Sequence, residues 1–170
     1  MNNQPGPAAQ PGRVGMHEGS VGLPPGFEDR TTNLFVPRDP QHQPNLSIAR
    51  DWFAQGETLA TYVDRQLGML KARMPGHKLL GRTGERLGTH EPALAGERIE
   101  AQYKNGAQTI RQRQAAFEIG DGRALVFTAA TPRGFDAQFD ALWRSWLDSF
   151  EPAPAVDDGA ANDSAGPATD

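Results

Sequence analysis

The sequence contains no cysteine among its 170 residues. That absence excludes disulfides, thiolate chemistry and cysteine-ligated zinc together, and leaves packing alone to hold the fold. No segment approaches the roughly 20 consecutive apolar residues of a membrane span, and the N-terminal stretch lacks the basic start and apolar run of a secretory leader. These absences lead to the expectation of a soluble, cytoplasmic chain with no direct membrane insertion. Charge of one sign is also missing from the middle. Of 17 basic and 21 acidic residues, Arg13 lies near one end and Glu151, Asp157, Asp158, Asp163 and Asp170 lie at the other, so the part between them is balanced. A balanced domain is a poor tracker of phosphates, which excludes nucleic acid as a partner. The ends in turn lack aromatic residues: MNNQPGPAAQPGRVG and EPAPAVDDGAANDSAGPATD are rich in Pro, Gly, Ala and Asn. They cannot bury enough surface to offset roughly 1 to 2 kcal/mol of backbone entropy per residue. Residues 1–15 and 152–170 are accordingly expected to be disordered tails around one domain at 16–151.

Catalytic and metal-binding patterns are missing too. His17, His42, His77 and His90 show no ligand spacing and fall near expected turns or strand ends, which favours surface histidine. No G-x-S-x-G surrounds a serine, and GRTGERLG at 81–88 lacks the Lys-Ser/Thr ending of a phosphate loop. The expectation is a non-enzyme without metal or cofactor.

What is present is an α+β pattern. Short strands are expected at His17–Leu23, Thr31–Val36 and Asn45–Arg50, the last two separated by a Pro-rich loop from Pro37 to Pro44. In ETLATYVDRQLGMLKARM, Leu59, Tyr62, Val63, Leu67, Leu70 and Met74 recur at helical steps, with Thr58 as the cap and Pro75-Gly76 as the stop. Four extended runs follow, at Lys78–Leu87, Ala93–Tyr103, Ala107–Ile119 and Arg123–Thr131, with Asn105-Gly106 and Asp121-Gly122 as the clearest turns. The last run, RALVFTAAT, is apolar on both faces and reads as a central strand covered on two sides. Phe135, Phe139, Leu142, Trp143, Trp146, Leu147 and Phe150 then mark one face of a second helix. The order predicts a sandwich of two main helices against an antiparallel sheet.

One feature is less ordinary. In AQTIRQRQAAFEI, Gln108, Ile110, Gln112, Gln114 and Ala116 share one face of a strand, and Gln66 lies at the edge of the first helix's apolar stripe. The simplest reading places these glutamines in solvent on an open sheet. The alternative is a neutral, partly apolar groove, because a buried amide without partners costs roughly 1 to 3 kcal/mol and calls for water or a ligand.

The phrases HEGSVGLPPGFEDRTTNLFV, NLSIARD, GETLATYVDRQLGML, QRQAAFEI and RALVFTAATP, followed by the aromatic helix, occur in an order that resembles the Eag family of type VI secretion effector chaperones, within the DcrB-related domains. The resemblance spans about residues 16 to 151. It implies a PsbP-like α+β sandwich that forms a homodimer and shields the N-terminal transmembrane helices of a PAAR or Rhs effector before export. It further implies a client groove at Gln66 and Leu70 of the helix, Ile110, Gln112 and Gln114 of the strand, and Thr32, Leu34, Ser47 and Ala49 of the early strands. Thr32 and Ala49 stand where the family has bulkier aliphatics, which implies either a shallower groove or a different client. On this reading Gln66→Ala, Leu70→Asp and Ile110→Asp weaken client binding and leave folding intact. The rival expectation is a non-catalytic adaptor of the same fold that binds a folded partner through Arg30, Arg38 or the acidic tail.

Overall fold

The computed structural model describes residues 12–153, so most of both expected tails lies outside the described residues. The chain runs β1 (Arg13–Met16), β2 (Gly19–Gly22), β3 (Thr32–Phe35), β4 (Asn45–Trp52), α1 (Leu59–Arg73), β5 (Lys78–Leu87), β6 (Leu94–Asn105), β7 (Gln108–Glu118), β8 (Arg123–Thr131) and α2 (Ala137–Asp148). An α+β fold is thus the observed class. Strands β1 and β2 form a separate hairpin. β2 falls within the strand expected at His17–Leu23, whereas β1 was not expected and takes Arg13, Val14 and Gly15 out of the tail. The Arg13 guanidinium donates to the Ser20 hydroxyl and carbonyl across the hairpin, and Gly19 supplies the positive φ beside the turn.

The other six strands form one sheet in the order β3-β4-β8-β7-β6-β5, antiparallel at every pairing. Chain order explains the layout. After β4, α1 carries the chain across one face to the far edge, and the β5–β8 meander then returns strand by strand to pair with β4. The β6–β7 turn centres on Gly106-Ala107, one residue later than expected, because Asn105 pairs with Gln108. Gly106 takes the positive φ that such a turn requires.

Each face of the sheet carries its own core, as the two-residue period of a strand dictates. From β8, Leu125, Phe127 and Ala129 join Phe139, Trp143 and Leu147 of α2, while Ala124 and Val126 join Tyr62 and Val63 of α1. β8 is therefore central and covered on both sides. α2 starts at Asp136, whose carboxylate accepts from the Phe139 N–H at 2.8 Å. Its aromatic face packs as expected except for Leu142, which remains exposed. The buried Arg113 guanidinium lies 4.7 to 5.6 Å from the ring centres of Phe135, Phe139 and Trp143 and pairs with Glu100 and Asp140. Each large side chain so buried contributes roughly 1.5 to 3 kcal/mol gross, which makes α2 the main anchor. α1 begins with a reciprocal pair of bonds between Thr58 and Thr61, so Thr58 is the cap the sequence indicates.

Candidate functional site

Directly paired residues of antiparallel strands project to the same face, so register assigns every strand residue to a side. One row across the sheet is Thr32, Ala49, Val126, Ala116 and Glu97. The next is Leu34, Ser47, Thr128, Gln114 and Ile99, and a third is Asn45, Ala130, Gln112 and Ala101. Val126, Ala116 and Ile99 belong to the core under α1. Thr32, Leu34, Ser47, Ala49, Gln112 and Gln114 therefore share the α1 side, as does Ile110, which pairs with Tyr103 in the same alternation.

Burial divides this face. Ile110 and Gln112 are 8% and 9% exposed, whereas Leu34 on the edge strand is 65% exposed. Ser47, Ala49, Thr128 and Ala130 are half-buried, and Thr32 is exposed. The open part of the face thus runs from β3 to β8, floored by small residues, and not along β7. Small side chains at such a floor let an incoming backbone approach closely.

Gln66 has a partner within the chain. Its Nε2 donates to Asp51 Oδ2 at 2.8 Å, and the Tyr62 hydroxyl donates to the same oxygen at 3.0 Å. Burial, reinforced by Asp51, raises the pKa of Tyr62 and keeps its hydroxyl a proton donor. Arg30 approaches the other Asp51 oxygen at 3.3 Å. This carboxylate orders the polar edge of the face. Sequence reasoning missed it, along with Thr128 and Ala130. The available signal was alternation, since Asp51 follows Ser47 and Ala49 at two-residue steps.

Gln112 and Gln114 are different. The Oε1 atom of each is buried with no hydrogen-bond partner among the described residues. Gln114 borders a space of only about 10 Å³ between β7 and α1, shared with Gln66, Ile99 and Ala116. That volume is at the lower limit for one water. The reading in which these two amides sit in open solvent is therefore wrong, because α1 and its neighbours close over that part of the sheet. Leu70 packs against the α1-side core. Leu70→Asp and Ile110→Asp would place a charge within packed apolar surface, so these variants damage the fold and cannot isolate binding.

His17, His42 and His90 are exposed, and His42 faces Asp39 at 2.7 Å. His77 is half-buried, contrary to the surface expectation; burial, with Lys71, lowers its pKa. No group of three or more His, Asp or Glu among the described residues is placed to hold a metal ion. Among those residues, no helix is long and apolar enough to cross a membrane.

The family model described as DcrB matches residues 18–149. Among solved structures, PA94 of Pseudomonas aeruginosa, a protein of unknown function, superposes with a TM-score of 0.68 at 22% identity, covering 86% of this chain and 99% of that one. LpqN of Mycobacterium tuberculosis, described as involved in cell envelope biogenesis, gives a TM-score of 0.46 at 18% identity over 68% of this chain and 66% of its own. No curated protein matches the sequence. At these identities the likeness to PA94 concerns the fold alone.

Proposed function

Because the chain belongs to the DcrB family, we propose that it is a non-catalytic chaperone of the Eag type, acting in the cytoplasm as a homodimer. Its client is the set of N-terminal transmembrane helices of a type VI effector of PAAR or Rhs type, held on the α1-side face until export. The observation that carries this reading is the pair of buried Gln112 and Gln114 oxygens, without a hydrogen-bond partner among the described residues, beside the apolar cluster under α1. A face of this kind suits a ligand that is mostly hydrocarbon and has a few hydrogen-bond donors. A span of roughly 20 apolar residues with occasional Ser or Thr has that chemistry, and exposed in water it aggregates. The floor of Ser47, Ala49, Thr128 and Ala130, beside exposed Leu34, offers close approach for such a helix. Docking beside α1 would bring client donors toward the β7 amides after a small outward shift of the helix.

Co-expression tests the proposal. A PAAR or Rhs effector that is this chain's client is expected to be soluble and retained on it when both are made together, and to be lost or degraded when made alone. Equal solubility and abundance of the effector without this chain would refute the role. Gln114→Met and Leu34→Asp, which leave the α1 core in place, are expected to reduce retention without loss of the folded protein.

A further inference from the structure

A second site lies on the opposite side of the sheet from the amide-lined face. Beyond the C-terminal end of α2 is a cavity of about 550 Å³, within the size range of small-molecule sites. Among the described residues its walls are chiefly aliphatic and aromatic and include Leu87, Leu94, Leu125 and Phe150. Arg50, Arg123 and His90 supply its polar side chains.

Register places both arginines on the α2 side. Arg50 pairs with Leu125, and Arg123 precedes Leu125 by two residues on the same strand face, so the two residues are diagonal neighbours that both border the apolar chamber. Arg50 makes no ion pair among the described residues. Its Nη1 donates to the Thr31 carbonyl at 3.0 Å and to Asn33 Oδ1 at 3.1 Å, which holds the group in place and leaves its other donors uncommitted. Among the described residues Arg123 pairs only with the exposed Asp121, at 3.6 Å. Asp29 also borders the arginines, but its carboxylate accepts from the Thr31 N–H at 2.9 Å and from the Thr31 hydroxyl. Two cationic residues on the border of one chamber favour an anionic group there. Guanidinium pairs favour the planar, bidentate carboxylate, and the chamber below them has room for a hydrocarbon chain.

We propose that this cavity binds a single-chain aliphatic carboxylate, with the carboxylate between Arg50 and Arg123 and the chain in the chamber lined by Leu87, Leu94, Leu125 and Phe150. The site is independent of the client face, since it uses the other side of the sheet and none of the same side chains.

Calorimetric titration of the full chain with octanoate, and separately with 1-octanol, tests the assignment. Octanoate is expected to bind roughly tenfold or more tightly than the alcohol, the difference being the charge-assisted pair. In Arg50→Gln/Arg123→Gln the two ligands should become equal. Arg123→Gln alone, at a half-exposed side chain whose ion pair is with the exposed Asp121, should lose a large part of the preference even if the double variant folds poorly. Methyl NMR shifts on octanoate addition should fall on Leu87, Leu94 and Leu125, and Gln114→Met should leave them unchanged. No detectable octanoate binding, equal binding of acid and alcohol to the unaltered protein, a preference unaffected by Arg123→Gln, or shifts confined to the α1 side would each overturn the proposal.

Discussion

Replacing Gln112 or Gln114 with methionine separates a vacant acceptor from an ordinary buried side chain. Methionine keeps the unbranched length and most of the apolar contact of glutamine but removes the amide oxygen. Each of these oxygens is buried without a donor among the described residues, and such a group costs roughly 1 to 3 kcal/mol. Rotamer entropy is similar for the two side chains, so it does not offset the gain. The expected outcome is a stabilisation of about 1 kcal/mol or more for either variant, which for a domain of this size raises Tm by roughly 3 °C per kcal/mol. The two positions are neighbours on one strand face, so the double variant should gain less than the sum. Urea titration followed by tryptophan fluorescence measures this through a higher midpoint at unchanged slope, Trp143 and Trp146 lying in the opposite core. Client retention in co-expression should fall in the same variants. A stability gain coupled to a binding loss is the reverse of what core damage produces. A drop in stability of both variants at unchanged slope would mean that water or another group already satisfies the oxygens, and the argument from vacant acceptors would fail.

Three further outcomes follow from particular contacts. Burial pushes the Glu85 carboxyl up, but donation from Trp143 Nε1 at 2.9 Å and the Arg86 N–H, with Arg98 and Arg144 nearby, outweighs it and leaves the pKa below its ordinary value of 4.5. A carboxyl with a lowered folded pKa contributes stability above its unfolded pKa and loses it as pH falls through the folded one, so Tm should drop below about pH 4.5 and drop less steeply in Glu85→Gln; parallel profiles would contradict this. In Gly96→Ala the new Cβ would overlap the Phe117 ring and sit 2.7 Å from the Ala116 carbonyl oxygen, with Phe117 fully buried. That variant should lose roughly 1 to 3 kcal/mol in denaturant titration. Asp51→Ala leaves the Tyr62 hydroxyl and the Gln66 amide without their acceptor and should cost about 2 kcal/mol, with Asp51→Asn closer to the unaltered protein because one acceptor oxygen remains.

Local signals carried far in this chain because they are physically local. The 3.6-residue recurrence of Leu59, Tyr62, Val63, Leu67 and Leu70, with Thr58 before it and Gly76 after it, defines α1 with little help from the rest of the molecule. The apolar run of β8 implied cover on both sides, which α1 and α2 provide. Elsewhere local signals were weaker. A strand of four residues is set by its partner, so β1 at Arg13–Met16 formed only by pairing with β2, which lies within the expected His17–Leu23. Alternation along β7 grouped its glutamines on one face, but it contained no information on which helix would close over them.

The sequence by itself determined the element types, the antiparallel meander and the two-sidedness of β7 and β8, since each follows from side-chain periodicity and turn chemistry. Only the tertiary structure decided what each polar group meets. Gln66 turned out to have Asp51, fifteen residues away in sequence and on another element. Gln112 and Gln114 have no donor for their Oε1 atoms among the described residues, Ile110 is buried, and Leu70 is half-buried against the α1-side core. Arg50 and Arg123, unremarkable in sequence, border one cavity. Partners of this kind come from strands that are distant in sequence and adjacent through register, and register is set by the whole sheet.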